Sequence, residues 1–231
     1  MKAVLVIVGF SMNDRRGKKM SEHPMFEGWQ PTYQQKDFSV DKQEPLYDGF
    51  FKMFKLHLTH KTFAGETISI QRELFYRDDA VCVLLYDAPR QVVVLVEQFR
   101  VGAFDHPDGP WLLELVAGIV EQGETPEDVA RRESVEEAGA QLGEVLKISR
   151  FVPSSGGTRE YIDLLCASVD SQGIGGIHGL PEEGEDIKVH KVPVEAAFEW
   201  VKSGKINNAP AMIALLWLQV NKDALDQRWS R

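Results

Sequence analysis

The chain is poor in cysteine, has no concentrated run of lysine and arginine, and contains no apolar stretch long enough to cross a bilayer. Each shortage removes a class of function. Among 231 residues only two are cysteine, Cys82 in AVCVLLY and Cys166 in DLLCASV. Each sits inside an apolar run, so they read as buried structural thiols, and their scarcity fits a reducing cytoplasm. A net charge of -9 without a basic run argues against nucleic acid as a partner, because such binding relies on a concentrated cationic surface. Residues 3–11, AVLVIVGFS, are apolar but far short of a membrane span, and Asp14, Arg15 and Arg16 follow them with no small-residue cleavage site. A translation start at Met12 or Met20 would leave this run out of the protein, which N-terminal sequencing checks.

What is present suffices for one domain with an elaboration, since 43% of the chain is hydrophobic. Residues 21–44 are polar and irregular and read as an extended arm. FKMFKLHLTH and TISIQRELF alternate in polarity on either side of a turn at Ala64-Gly65-Glu66, the pattern of a hairpin. A second hairpin joins AVCVLLY to QVVVLVEQF around Pro89, and its continuous β-branched runs predict strands covered on both faces. WLLELVAG follows, then strands near Val145–Phe151 and Tyr161–Val169. A helix over Val194–Lys202 ends at Gly204, and a longer one begins near Pro210 with MIALLWLQV as its apolar face. Strands with helices on both sides predict a mixed-sheet α/β/α sandwich.

The densest chemistry lies in Gly118–Ala140, GIVEQGETPEDVARRESVEEAGA. Thr125 can cap a helix here, Pro126 suits its first position, Asp128 completes the cap and Gly139 suits a left-handed stop. Glu133, Glu136 and Glu137 then stand in the i, i+3, i+4 relation that makes side chains neighbours. A solvated glutamate face is the ordinary explanation, but Val129 and Ala130 one turn earlier make this side other than a purely polar back. Like charges at 4 Å repel by about 1 kcal/mol in water and about 4 at an effective dielectric of 20. A divalent cation reverses that sign, and carboxylate oxygens without histidine or cysteine favour magnesium or manganese over zinc.

The stretch resembles the Nudix box, Gly-x5-Glu-x7-Arg-Glu-U-x-Glu-Glu-x-Gly-U with U a bulky aliphatic: Gly118, Glu124, Arg132, Glu133, Glu136, Glu137 and Gly139 match, while both U positions are weakened to Ser134 and Ala140. From Gly49 onward the chain is similar to the ADP-ribose diphosphatase branch of that family. The resemblance implies a Nudix α/β/α sandwich with a small N-terminal antiparallel sheet. The domains would be an arm over 1–44, a dimerisation subdomain over 45–78 and the Nudix domain over 79–231. It also implies a homodimer completed by a swapped N-terminal domain, with both subunits contributing to each site.

Residue by residue, the resemblance implies metal ligation by Glu133, Glu136, Glu137, Glu185 and the carbonyl of Ala117, holding two or three Mg2+ ions, with Mn2+ as the alternative. Glu183 would be the general base, in a loop where Glu182, Glu183 and Glu185 leave the register open by one residue. Phe50, Arg72, Glu73, Arg77, Arg100 and Ile119 would hold the substrate. Arg132 would position the box glutamates with Glu124 as its loop partner, and Gly118 would permit close backbone approach. The expected reaction is hydrolysis of ADP-ribose to AMP and ribose 5-phosphate. One departure concerns the substrate: Ser154 and Ser155 separate Pro153 from Gly156-Gly157, where this branch commonly has proline directly before the glycine pair. GDP-mannose or another nucleoside diphosphate sugar is therefore the alternative substrate. A non-catalytic ADP-ribose sensor is a further reading, disfavoured because every box glutamate is kept and no basic segment is added.

Overall fold

The computed structural model describes residues 30–230; the apolar run at 3–11, the starts at Met12 or Met20 and the first part of the arm lie outside the described residues. Contacts divide the chain into two compact units, one taking the chain up to Gln43 with Leu56–Arg72, the other taking Glu44–Lys55 with Glu73 onward. Strands β1 (Phe38–Asp48), β2 (Lys52–Lys61) and β3 (Thr67–Tyr76) each contribute to both units. They stand in the order β1-β2-β3 in a four-stranded sheet whose last member is the short β9 (Thr158–Arg159).

The polar segment expected as an irregular arm is thus a strand from Phe38 on. Its cohesion in the first unit is polar rather than apolar: Ser39 Oγ and Thr59 Oγ1 both donate to Asp41, at 2.7 and 2.6 Å, and Thr59 shares a hydrogen bond with Ser69. Cross-strand hydroxyl and carboxylate pairs of this kind stabilise a sheet without the apolar alternation that a sequence reading looks for.

In the second unit, β4 (Ala80–Asp87), β5 (Val92–Phe99), β6 (Trp111–Glu114), β7 (Val116–Ile119), β8 (Leu142–Phe151), β10 (Ile162–Val169), β11 (Gly176–His178) and β12 (Ile187–Pro193) form one mixed sheet. Its order is β11-β12-β5-β4-β10-β8, with β4 and β10 parallel. Helix α1 (Pro126–Ala138) covers one face, and α2 (Val194–Lys202) and α3 (Ala209–Trp229) cover the other. β4 shows why its sequence has no polar alternation: Cys82, Leu84 and Tyr86 enter the α2/α3 core while Val81, Val83 and Leu85 enter the α1 core. Both thiols are buried, and burial pushes Cys82 up to about 12 and raises Cys166 further.

β4 and β5 pair only over Leu85–Asp87 and Val92–Val94. Beyond that they part, and β7 pairs with Ala80–Val83 while β6 pairs with Val96–Phe99. The short β6–β7 segment, expected only as a lead into the helix, therefore fills a wedge in the middle of the sheet. β12 was not expected at all, although IKVHKVP alternates in polarity and buries Ile187, Val189 and Val192. In α3 the run MIALLWLQV is apolar on more than one face. Ala211, Ala214, Leu215 and Leu218 are buried, whereas Ile213, Leu216 and Val220 are exposed.

Of the two weakened U positions, Ala140 packs fully buried in the α1 core. Ser134 is also fully buried, and its Oγ has no partner among the described residues. An unsatisfied buried hydroxyl costs about 1–3 kcal/mol, and alanine is also the better helix former by several tenths of a kcal/mol. Ser134→Ala is expected to raise the melting temperature by roughly 2–12 °C, at about 2–4 °C per kcal/mol for a chain of this size. Calorimetry giving a lower melting temperature for the variant would contradict the orphaned hydroxyl.

Candidate active site

Helix α1 begins and ends as its sequence dictates. Thr125 accepts from Asp128 N while Asp128 accepts from Thr125 N, Pro126 opens the first turn, and Gly139 closes the last at φ 62°. Burial of Val129, Ala130 and Ala138 against the sheet sets the rotation of the helix, and Glu137, on that same side, is only 2% exposed. Its Oε2 accepts a 3.0 Å hydrogen bond from Ala117 N on β7. Burial pushes Glu137 up to about 8; the Ala117 amide and Arg100 oppose the rise, and Glu133 and Glu185 add to it. Glu133 is raised for the same first reason, burial, with Arg132 opposing and Glu136 and Glu185 adding.

Arg132 organises the cluster. Its Nε and Nη2 donate to the two oxygens of Glu124 at 2.9 and 3.1 Å, and its Nη1 donates to Glu133 at 2.6 Å and Glu136 at 3.2 Å. The bidentate Glu124 pair, a geometry that only arginine supports, pins the guanidinium and depresses the Glu124 carboxyl below its usual range. Gly118 is required by contact: a Cβ there would meet Glu133 Oε1 at 1.8 Å. Beyond the helix, Gly179 N donates to the Glu136 carbonyl at 3.2 Å, and Leu180 N donates to Glu185 Oε2 at 3.1 Å. The loop bearing Glu185 is thereby fastened to α1, close enough for its charge to act on both Glu133 and Glu137. Glu183 lies at the end of a short 3-10 turn, Pro181–Glu183, and is exposed.

The donor set suits a hard divalent cation: three glutamates from one helix face, a fourth from the loop, and a glycine that keeps the approach open. Oxygens remain for it, because the hydrogen bonds among described residues use only Oε1 of Glu133, Oε2 of Glu136 and Oε2 of Glu137. Among the described residues no three acidic, imidazole or thiol groups converge as a preformed cage; the Arg132 guanidinium bridges Glu133 and Glu136 instead.

The expected substrate residues fall into separate groups. Phe50, Arg77 and Ile119 line one cleft of about 130 Å³ together with Phe51, Lys52, Tyr76 and Asp78. Phe50 is 82% exposed and meets Phe51 edge-on, and the Arg77 guanidinium lies 4.9 Å over the Phe51 ring. Arg100 pairs with Glu114 at 2.5 Å on the sheet wedge. Glu73 is exposed on β3, and Arg72 belongs to the other unit, where it is exposed and donates to the Gln71 carbonyl. Sequence reasoning missed two acids. Glu114 partners Arg100, and the buried Glu160, raised chiefly by burial, partners Arg77 at 3.4 Å. A lone acid inside WLLELV was the available signal for Glu114; Glu160 carried none.

Residues 76–215 match the model of the NUDIX domain. Over 200 residues, 86% of this chain and 96% of the relative, the sequence is 44% identical to the curated ADP-ribose pyrophosphatase of Escherichia coli strain K12. It is 47% identical over 218 residues, 93% and 97% of the two chains, to the ADP-ribose pyrophosphatase of Haemophilus influenzae. The GDP-mannose pyrophosphatase of Enterobacter sp. strain 638 is 36% identical over 187 residues, 79% and 95% of the two chains. A crystal structure of an ADP compounds hydrolase superposes with a TM-score of 0.59 over 80% of this chain and 96% of that one; at 15% identity this is a likeness of fold.

The raised Glu137 has a thermodynamic sign. An unfolded glutamate titrates near its ordinary value of 4.5 and the folded one near 8, so between those values the unfolded chain has released a proton that the folded chain keeps. Stability of the metal-free protein is therefore expected to fall as pH rises from about 4.5 to 8, by at most about 1.4 kcal/mol per pH unit. Urea titrations from pH 5 to 9 should show this slope in the wild type and a flatter one in Glu137→Gln. Equal slopes would mean that Glu137 is not the buried acid described.

Proposed function

The chain belongs to the NUDIX family, and on that premise we propose that it is an ADP-ribose diphosphatase, cleaving the diphosphate of ADP-ribose with water to give AMP and ribose 5-phosphate. One observation carries the reading: every charged box position is retained in a chain 44–47% identical, over most of its length, to curated ADP-ribose pyrophosphatases.

Glu133, Glu136, Glu137, Glu185 and the Ala117 carbonyl would hold two or three Mg2+ ions, with Mn2+ as the alternative. When bound, such ions neutralise phosphate oxygens and lower the pKa of the attacking water. The chain's own residues do the rest. Arg132, pinned by Glu124, keeps Glu133 and Glu136 from rotating away. Glu183, exposed on a turn whose neighbour Glu185 is tied to Leu180 N, takes the proton of the attacking water as the loop closes. Phe50 and Arg77, with Ile119 at the wall, offer an aromatic face and a cation suited to a nucleobase. Arg100 faces the phosphates, and Arg72 and Glu73 complete the substrate contacts.

The assembly we propose is a homodimer with a swapped N-terminal domain, acting in the cytoplasm. Exposed apolar side chains on the first strands and their connections, among them Val40, Leu46, Tyr47 and Phe63, support a covered surface there. No described helix is long and apolar enough to cross a membrane.

Glu137→Gln is expected to lower kcat by about a thousandfold or more while the circular dichroism spectrum stays unchanged, the scale on which loss of an essential charged group is felt. Near-normal turnover at saturating magnesium would overturn the ligand set. Phe50→Ala and Arg77→Ala should each raise KM about tenfold with kcat little changed. Given the GDP-mannose relatives, a panel of nucleoside diphosphate sugars scored by kcat/KM should rank ADP-ribose first, and a preference for GDP-mannose would replace the substrate assignment.

A further inference from the structure

Near the end of β5 a buried amide stands in a place where an apolar side chain would cost less. Val93 and Leu95 of this strand enter the α2/α3 core, and Val94 and Val96 enter the α1 core. The two-residue period of an extended chain then turns Gln98 to the α1 face, the face that carries Glu137 and its Ala117 hydrogen bond. Arg100, two residues on and still extended at φ -123° and ψ 110°, turns the same way. Its partner Glu114 lies opposite Val96 in the β5–β6 ladder. Gln98 is therefore set between the floor of the α1 core and the Arg100–Glu114 pair, in the wedge where β5 has left β4.

The side chain is only 6% exposed, and its Nε2 has no hydrogen-bond partner among the described residues. An amide nitrogen is a donor and never an acceptor, and leaving it buried and unpaired costs about 1–3 kcal/mol. Methionine would fill the same volume without that cost. An acceptor reaching it from outside the described chain, on a ligand or a water, would remove that cost. Glu114 accepts from Arg100 through Oε2 at 2.5 Å and accepts nothing from Gln98 Nε2. An acceptor that suits a position beside a guanidinium, on the face of the carboxylate cluster, is a phosphate oxygen.

We propose that Gln98 is a substrate-binding residue whose side-chain amide donates to a diphosphate oxygen beside Arg100. The inference rests on the diphosphatase reading above. A neutral donor adds a hydrogen bond at this depth without the desolvation of a second buried cation. Fixed before the substrate arrives, it strengthens as charge builds on the phosphate in the transition state.

The test is Gln98→Met, assayed with ADP-ribose and magnesium. Expected are a melting temperature equal to or above that of the wild type, a kcat/KM lower by tenfold or more with most of the loss in kcat, and weaker binding of α,β-methylene ADP-ribose. A role in packing alone would predict the opposite pattern, a lowered melting temperature with kcat/KM and analogue affinity within about twofold of wild type, and that result would overturn the proposal. Should the variant fail to fold, a crystal structure of the wild type with the methylene analogue decides: Nε2 within hydrogen-bond distance of a phosphate oxygen supports the assignment, and any other partner for it refutes it. A wild type that does not turn over ADP-ribose would instead remove the functional reading beneath the proposal, so the two failures are distinguishable.

Discussion

The carboxylate of Glu137, shut away from water and held by the amide of Ala117, is the contact on which the remaining architecture converges. A charged acid at that depth is unfavourable by itself, and one backbone hydrogen bond offsets only part of the cost. The surroundings distribute the rest. Arg100 lies within electrostatic reach, and Arg132 restrains the neighbouring acids from a fixed position of its own. The site is thus assembled around acidic groups whose mutual repulsion and burial the folded chain offsets only in part.

The sheet makes room for this arrangement by parting two strands that could have stayed paired. Where β4 and β5 diverge, β6 and β7 enter, and their backbone presents Ala117 and Gly118 to α1 at a distance that side chains on a continuous sheet would prevent. Gly118 is the narrowest point, since any side chain there would occupy the position of the Glu133 carboxylate.

Much of this was legible in the sequence because it is local. The caps of α1, the spacing of Glu133, Glu136 and Glu137 and the two-sided burial of β4 follow from short-range pattern and period, while the Glu124–Arg132 pair came from the family resemblance. What was not legible depends on partners far apart in the chain. Arg77 is a substrate residue only by expectation, and its pairing with Glu160 and its place over the Phe51 ring exist only once β9 lies beside β3. β1 escaped notice because hydroxyl and carboxylate groups hold it, and the outer stripe of α3 because its run is apolar on several sides.

The hydroxyl of Tyr86, at the buried end of the central strand, donates to Asp226 at 2.5 Å, and Gln91 and Lys222 converge on the same carboxylate. Trp229 and Arg228, one turn later, reach Glu144 on β8. The middle of the sheet is thus completed by a helix that lies well over a hundred residues later in the chain, and the burial of Tyr86 and of this sheet face depends on that helix having docked. Contacts of such sequence separation have to close a long loop of chain before they contribute, which slows folding.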